Sequence, residues 1–204
     1  KYDGVNAPSM VADINSGSIS SSPDELVVFN NALYFEADDG INGKELWKYD
    51  GVNAPSMVAD IRPGSSGSNL FDPTVFNNEF YFRATDGTNG DELWKTDGTT
   101  SGTVMVADIR PGSSSSYPND LTVFNNKLYF EASDGTNGDE LWQYDGVNAP
   151  SMVADIKIGP TGSYPTDFVV LNNELYFQAN DGNNGQELWI YDGFNAPSMF
   201  ADIV

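Results

Sequence analysis

Short apolar runs separated by polar, glycine-rich turns recur along the whole chain, and residues 119–156 show the pattern in full. The apolar runs there are Leu121–Phe124, Leu128–Ala132, Asp139–Tyr144 and Ser151–Ile156. An Asn-Asn pair separates the first two runs and Asp-Gly turns separate the others, and these residues tolerate the positive φ of tight hairpins. The runs are too short for helices and lack helix caps. The pattern therefore predicts four antiparallel strands and no helix.

This four-strand unit repeats four times. The tripeptide ELW recurs with its tryptophans at positions 47, 94, 142 and 189, and DGTNGDELW is identical at 86–94 and 134–142. Four antiparallel strands in a period of about 47 residues are typical of one blade of a β-propeller. We therefore expect an all-β fold and a single domain over 1–204, built as a four-bladed propeller or as a section of a larger ring or array. The predicted repeats are 15–61, 62–109, 110–156 and 157–204.

The first strand and the ELW strand indicate how the blades pack. The first strand carries VVF, TVF, TVF and VVL in the four copies, so we expect this innermost strand to be buried on both faces between neighbouring blades. A tryptophan at one position in every copy is typical of core between blades, although tryptophan also stacks on sugars. The predicted core tryptophans are Trp47, Trp94, Trp142 and Trp189.

The fourth strand has one copy too many. The string YDGVNAPSMVADI is unchanged at 2–14, 49–61 and 144–156, and a variant of it ends the chain. The surplus copy leaves three alternatives: a four-bladed ring with an extra strand, part of a longer array, or a strand that pairs with another chain. We predict that residues 1–14 form an outer strand paired in a blade.

Composition and charge exclude several classes of function. The chain has 30 acidic and 9 basic residues, for a formal net charge of −21. Such a charge repels phosphate backbones and anionic membranes, so no nucleic-acid partner is expected. The lack of histidine removes the usual general base near neutral pH, and the lack of cysteine excludes thiol catalysis, disulfides and iron–sulfur clusters. No apolar run approaches a membrane span, so no membrane insertion is expected.

The motif ELW-x-x-DG, with a DG-x-NG turn before it, resembles the ELWxxDGT repeat family of bacterial proteins. The second copy, Glu92–Ile109, is most similar, whereas in the other copies Tyr replaces the Thr before DG and the loop becomes DGVNAPS or DGFNAPS. The resemblance covers essentially the whole chain. It implies propeller-like β-domains in large, often secreted or surface-exposed bacterial proteins, with no settled enzymatic activity. The strand order is also similar to that of kelch-type propellers, although the kelch double glycine is absent.

The turn between the second and third strands is the candidate metal site. Each copy places Asp, Asn and Glu at a spacing of three plus three, and calcium accepts such oxygen ligands in irregular geometry. The alternative, which we favour, is a structural turn in which the glycines adopt positive φ and the aspartate caps the turn. The candidate ligands are Asp39, Asn42, Glu45, Asp86, Asn89, Glu92, Asp134, Asn137, Glu140, Asp181, Asn184 and Glu187.

No catalytic residue is predicted. A glycosidase needs one asymmetric carboxylate pair, whereas the acids here are copied with every turn, and no phosphate-loop, dinucleotide or nucleophile-elbow motif occurs. The aspartates of the ADI strings are expected to be solvated charges at strand ends. Three tyrosines, two residues beyond the ELW tryptophans, are expected to reach the rim of the blades, and in the glycan-binding alternative they would contact the sugar: Tyr49, Tyr144 and Tyr191.

These observations favour a non-enzymatic, extracellular structural or assembly module that associates with itself. The alternative is a lectin-like module with one shallow glycan site per blade. Secretion or display on a bacterial surface is implied by the family resemblance, and because the chain begins at Lys1 rather than Met, we expect it to be a processed or trimmed piece. No cofactor is predicted apart from the calcium hypothesis.

Overall fold

The computed structural model describes residues 1–202, while residues 203 and 204, the end of the last predicted repeat, lie outside the described residues. All regular structure in 1–202 is β-strand, as the apolar pattern predicts. Sixteen strands form four four-stranded antiparallel sheets, each built from consecutive strands. The described part of the chain holds no helix that could cross a membrane. The fold is all-β and propeller-like, and we call the four sheets blades 1 to 4.

Each blade has an inner strand, two middle strands and an outer strand in chain order, and the inner strands of successive blades contact one another. Blade 1 comprises β1 (Asp24–Phe29), β2 (Ala32–Asp38), β3 (Lys44–Tyr49) and β4 (Ser56–Ala59). Blade 2 comprises β5 (Phe71–Phe76), β6 (Glu79–Thr85), β7 (Asp91–Thr96) and β8 (Val104–Ala107). Blade 3 comprises β9 (Asn119–Phe124), β10 (Lys127–Ser133), β11 (Asp139–Tyr144) and β12 (Ser151–Ala154). Blade 4 comprises β13 (Thr166–Leu171), β14 (Glu174–Asn180), β15 (Gln186–Tyr191) and β16 (Ser198–Ala201).

Tight asparagine hairpins join the inner strand of each blade to the next strand. Asn125 and Asn126 have φ of 45° and 56°. Two-residue hairpin turns that match the twist of the strands require such positive values at both central residues. The Asn-Asn pairs of the other three blades adopt the same conformation. The predicted hairpins are therefore confirmed in every copy.

The outer strands are shorter than the sequence predicts. We expected the fourth strand of blade 3 to reach Ile156, but β12 ends at Ala154. The reason is that the Ile156 N–H donates to Oε2 of Glu140, at 2.9 Å, instead of to a neighbouring strand. The buried carboxylate thus ends the ladder and turns the chain toward the next blade.

Neighbouring blades pack face to face. Blade 1 meets blade 2 through Phe29, Tyr34 and Leu46, against Phe80 and Trp94 of blade 2. The corresponding positions meet between blades 2 and 3 and between blades 3 and 4. Across these three junctions, aromatic rings of adjacent blades lie 5.8, 5.8 and 5.7 Å apart between centroids. We call the face that meets the following blade the leading face, and the face that meets the preceding blade the trailing face.

The prediction that the inner strands are buried on both faces is wrong. Val28 of β1 is largely exposed, and the valines at the same position of the other blades, Val75, Val123 and Val170, are exposed as well. The inner strand has no sheet partner on one side. The most buried strands are instead the second ones, such as β10, in which six of seven residues are buried. The middle of a sheet, and not its inner edge, is covered by both neighbouring blades.

Residues 1–14 form no strand, so the predicted surplus outer strand is wrong. The outer position of blade 1 is already taken by β4, which pairs with β3. The N-terminal segment lies against the trailing face of blade 1 instead. Four of its residues, Met10, Val11, Ala12 and Ile14, line a cavity of about 240 Å³ together with Leu26, Leu33 and Phe35. We call Met10–Ile14 the covering segment.

Candidate functional site

The blade junctions hold most of the residues that the repeat copies. Trp94, Trp142 and Trp189 are buried and belong to the three clusters between blades. The prediction of core tryptophans is confirmed for these three. Trp47 is only partly buried, because no blade precedes blade 1 within the chain. The tryptophan position is therefore a trailing-face position that depends on a neighbouring blade.

The ELW glutamate is a buried structural carboxylate. Glu45 is fully buried and accepts hydrogen bonds from the backbone N–H groups of Ile61, at 2.9 Å, and Arg62, at 3.3 Å. Burial raises the pKa of Glu45 to about 7, and the hydrogen bonds offset only part of that rise. The carboxylate holds the point at which the chain leaves blade 1 for blade 2.

The same glutamate in the next two blades also binds a serine from the linker. Glu92 accepts from the N–H of Ile109 and, at 3.0 Å, from the N–H of Ser116. Glu140 accepts from the N–H and the hydroxyl of Ser163, at 2.8 and 2.6 Å. Burial raises the pKa of both carboxyls, to about 7 for Glu92. Each glutamate thus joins its own blade to the linker that begins the next one.

The linker serine also bridges two blades through its backbone. The N–H of Ser116 donates to the carbonyl of Asp91 in blade 2, and its carbonyl accepts from the N–H of Ser133 in blade 3. Ser68 and Ser163 make the corresponding bonds at the other two junctions. All three serines are fully buried. Sequence reasoning missed them because the linkers are serine-rich, and only alignment of the four repeats singles out this position.

Carboxylates on the inner strands form a second set of bridges that the sequence analysis missed. The N–H of Asp72 donates to Glu25, that of Leu121 to Asp72, and that of Asp167 to Asp120, at 3.2, 2.6 and 3.2 Å. Glu25, Asp72, Asp120 and Asp167 all have positive φ and lie where the register of the inner strand shifts. Their recurrence four residues before the strand-ending Phe or Leu was the available signal.

The structure divides the proposed calcium ligands. Asp39 accepts from the N–H of Ile41 and Asn42 through Oδ1, and from the Asn42 side chain through Oδ2. These bonds, led by that of the Asn42 N–H, hold the pKa of Asp39 below its usual value. The third candidate, Glu45, is bonded to Ile61 and Arg62 instead. The aspartate and asparagine of the turn are therefore brought together as a hydrogen-bonded clamp, without the glutamate.

This clamp recurs in the other copies. Asp86, Asp134 and Asp181 bind Asn89, Asn137 and Asn184 in the same way. The DG-x-N turn before the outer strand repeats the clamp in blades 1, 3 and 4, whereas in blade 2 Asp97 binds Thr99 instead. No group of three or more acidic side chains suited to a metal occurs among residues 1–202. The structural-turn hypothesis accounts for the DG-x-N pattern, whereas calcium binding stays a prediction that would require these bonds to be exchanged.

Two of the three predicted rim tyrosines are buried, so that part of the prediction is wrong. Tyr144 packs on Tyr81 and Tyr191 packs on Tyr129 across a junction. The reason is that position 144 lies on the trailing face, two residues beyond the tryptophan. Tyr49 is half-buried, because blade 1 has no preceding blade, and it lines the cavity under the covering segment.

A cleft lined by both polar and apolar residues lies at the junction of blades 3 and 4. It has a volume of about 480 Å³ and is lined by Ile156–Ile158, the turn 181–183 and Trp189. Lys157 and Asp181 bring opposite charges to this cleft. At the two preceding junctions, Arg62 and Arg110 lie next to Gly87 and Gly135 of the corresponding turns, as Lys157 lies next to Gly182 here. The cleft therefore combines room for a small ligand with two side chains of opposite charge.

The two end faces of the chain expose apolar side chains that are buried at internal junctions. On the leading face of blade 4, Leu171 is 56% exposed, whereas Phe124 at the same position of blade 3 is 2% exposed. On the trailing face of blade 1, Leu26 is 60% exposed, whereas Leu121 of blade 3 is 6% exposed. Phe200 adds a further large exposed side chain to the blade 4 face.

Comparison with known proteins gives a likeness of fold. No protein-family model and no curated protein matches the chain. Among solved structures it is similar to a prolyl endopeptidase, with a TM-score of 0.55 and 12% identity over 84% of this chain and 25% of that one. A variant of puromycin hydrolase gives a TM-score of 0.56 and 12% identity over 89% and 28%. The chain thus spans about a quarter of the length of these enzymes, and the likeness shows that its arrangement of sheets has solved counterparts.

Proposed function

We propose that the chain is a non-enzymatic structural module, a section of a β-propeller or propeller-like array that serves as a scaffold for self-association. The observation that carries this proposal is the use of the repeated acids. Glu45, Glu92 and Glu140 are buried in hydrogen bonds that join blades, and the turn aspartates are held by their own asparagines. The residues copied in every repeat are thus used to build and join blades, which is the role of a scaffold.

The exposed end faces support self-association as the purpose of the scaffold. Large exposed apolar patches mark sites of interaction, and those of this chain lie on the trailing face of blade 1 and the leading face of blade 4. Extracellular display on a bacterium belongs to the same proposal and rests on the family resemblance alone.

Light scattering and negative-stain electron microscopy test the proposal. We expect oligomers or filaments whose mass rises with protein concentration. Raising the salt to about 1 M, where the Debye length is ~3 Å, should strengthen association by screening the charge of −21 on each chain. The same measurements in EDTA distinguish direct association of the chains from association bridged by calcium. A monomer of constant mass under all these conditions would rule out the scaffold.

A lectin-like module is the second candidate, favoured by the cleft beside Trp189. The cleft combines an aromatic side chain with Lys157 and the polar turn 181–183. Titration calorimetry against a panel of neutral and acidic oligosaccharides tests it, with Lys157→Ala as the cleft variant and Lys127→Ala as a control elsewhere on blade 3. Heat of binding that Lys157→Ala abolishes and the control leaves intact would favour the lectin, and absence of binding to the panel would count against it.

A further inference from the structure

The leading face of blade 4 has the residue types of an internal junction, but no other blade among residues 1–202 packs against it. Blade 3 presents Phe124, Tyr129 and Leu141 to blade 4, and all three are buried. Blade 4 carries Leu171, Tyr176 and Leu188 at these positions, and the structure leaves Leu171 exposed and the other two partly exposed. Tyr176 and Phe200 pack against each other on this face, with ring centroids 5.7 Å apart. The face therefore carries large apolar side chains at the positions that form an internal junction, and no trailing face packs against them in the described structure.

The trailing face of blade 1 is the complementary surface. Blades 2 to 4 meet their predecessors through positions that are Leu33, Phe35 and Trp47 in blade 1. In blade 1, Leu33 and Trp47 are partly exposed although their counterparts are buried. One chain thus presents the two halves of a junction at opposite ends, and the contact that they would make continues an interface formed three times within the chain.

The covering segment shows how the trailing face is recognised. Residues 1–14 are identical in sequence to 48–61, and Val58, Ala59 and Ile61 of that stretch pack against the trailing face of blade 2. The equivalent residues Val11, Ala12 and Ile14 line the cavity over the trailing face of blade 1. The segment therefore brings to blade 1 the same outer-strand side chains that a preceding blade would supply, but covers the face less completely, since Val11 is 44% exposed and Val58 is 4% exposed. It supplies no inner or middle strands, and Leu26 stays exposed beside it.

Polar groups for the same junction are also in position. The carbonyl of Ser21 accepts from the N–H of Asp38, as the carbonyl of Ser116 accepts from Ser133 in blade 3. At internal junctions the N–H of this serine donates to the backbone carbonyl of the first residue in the third strand of the preceding blade, for example Asp91. Gln186 is that residue in blade 4. A second copy would therefore align Ser21 with Gln186 as the internal blades align their own pairs.

We propose that the leading face of blade 4 binds the trailing face of blade 1 of a second copy, displacing or repositioning the covering segment. The contact is head to tail, so it forms either a closed ring of copies or an open filament. This inference rests on the proposed function and adds to it the two surfaces and their pairing.

Two half-blocked variants test the pairing. Leu171→Asp places a charge on the leading face of blade 4, and Leu26→Asp places one on the trailing face of blade 1. Both positions are exposed in the single chain, so both variants should fold. The melting temperature of each variant checks this. Val147→Asp, at an exposed turn position of blade 3 away from both faces, is the matched control. Masses are measured by analytical ultracentrifugation at concentrations up to about 1 mM.

Each outcome of this experiment bears on the proposal. We expect the unchanged chain and Val147→Asp to associate, each half-blocked variant alone to be monomeric, and an equal mixture of the two to give a complex of two chains through the one pair of intact faces. Association that survives both substitutions would overturn the assigned faces while leaving the scaffold in place. Loss of association by Leu171→Asp but not by Leu26→Asp would show a symmetric contact and overturn the head-to-tail pairing. A monomeric unchanged chain would overturn the scaffold together with this inference.

Discussion

Blades 3 and 4 carry nearly the same strands in different surroundings. Both have an ELW strand, an Asn-Asn hairpin and a tyrosine in the second strand, and both pack a trailing face against a preceding blade. Their leading faces differ: Phe124 and Tyr129 of blade 3 are covered by blade 4, whereas Leu171 and Phe200 of blade 4 are exposed. The strands form without the following blade, but burial of the leading face requires it. A repeat of this kind encodes half of each junction and relies on its neighbour for the other half.

The junction tryptophans should show the largest difference between an internal blade and an end blade. Trp142→Ala should lower the free energy of unfolding by about 3–5 kcal/mol, as for other large core aromatics, because the ring is buried between blades 2 and 3. Trp47→Ala should cost about 1–2 kcal/mol, because its ring is only partly buried. Equilibrium unfolding in urea measures both, and Trp189→Ala should behave like Trp142→Ala. Equal costs at positions 47 and 142 would mean that the covering segment replaces a blade in full.

The buried glutamates should give the next largest effect. Glu92→Gln keeps the shape of the side chain but replaces one acceptor oxygen with a donor facing the N–H groups of Ile109 and Ser116. We expect a loss of about 1–3 kcal/mol in the free energy of unfolding. Glu187→Gln in blade 4 is the comparison, and it should cost less because Glu187 is only half-buried. A larger loss at position 187 than at 92 would show that burial of the carboxyl does not set the cost.

The same carboxylates predict how stability changes with pH. Burial raises the pKa of Glu45 and of Glu92 to about 7, so between their unfolded pKa and 7 the folded chain binds more protons than the unfolded one. The stability that each of these carboxyls contributes is fully present below about pH 4.5. It is lost as the pH rises through about 7, and the loss is on the order of 1–3 kcal/mol per group. The turn aspartates have lowered pKa values and lose their contribution only in stronger acid.

Thermal unfolding at about pH 5 and about pH 8 measures this dependence, and we expect the higher melting temperature at the lower pH. Glu92→Gln should reduce the difference between the two temperatures, because it removes one of the groups that titrate in this window. A melting temperature that rises toward pH 8 would contradict the raised pKa of these carboxyls.

The sequence predicted much of the fold because its signals are local. The Asn-Asn hairpins, the strand β11 and the tryptophans of blades 2 to 4 follow from turn chemistry and apolar patterning, and the structure confirms them. Burial across a junction depends on a neighbour about 47 residues away in sequence, which no local pattern contains. The exposure of the inner strands, the burial of Tyr144 and the irregular N-terminal segment were missed for this reason.

The candidate site shows the same division between local and distant information. The aspartate and asparagine of the DG-x-N turn were correctly placed together, because they lie three residues apart in one turn. The glutamate three residues further on was grouped with them by spacing alone. Its carboxylate in fact binds a linker serine 24 residues later, as Glu92 binds Ser116. Spacing along a strand could not reveal which backbone groups of the next blade would reach that carboxylate.

Calcium should have the smallest effect on stability. Its effect on the melting temperature distinguishes a turn that is held by its own hydrogen bonds from a turn that needs a bound metal. A loop of this type would bind calcium at about 10⁻⁴–10⁻³ M if it bound at all, as extracellular modules do. In each copy, however, the aspartate oxygens already accept two backbone N–H groups and an asparagine side chain, and in blades 1 to 3 the glutamate is bonded at a junction. A cation would have to replace these bonds, so we expect the melting temperature to be the same in EDTA and in millimolar calcium.

Asn89→Ala serves as the matched variant. It should lower the free energy of unfolding by about 1 kcal/mol through loss of the clamp, equally with and without calcium. A calcium-dependent rise in the melting temperature that Asn89→Ala diminishes would instead establish the turns as metal sites and reverse the structural interpretation of the DG-x-N pattern.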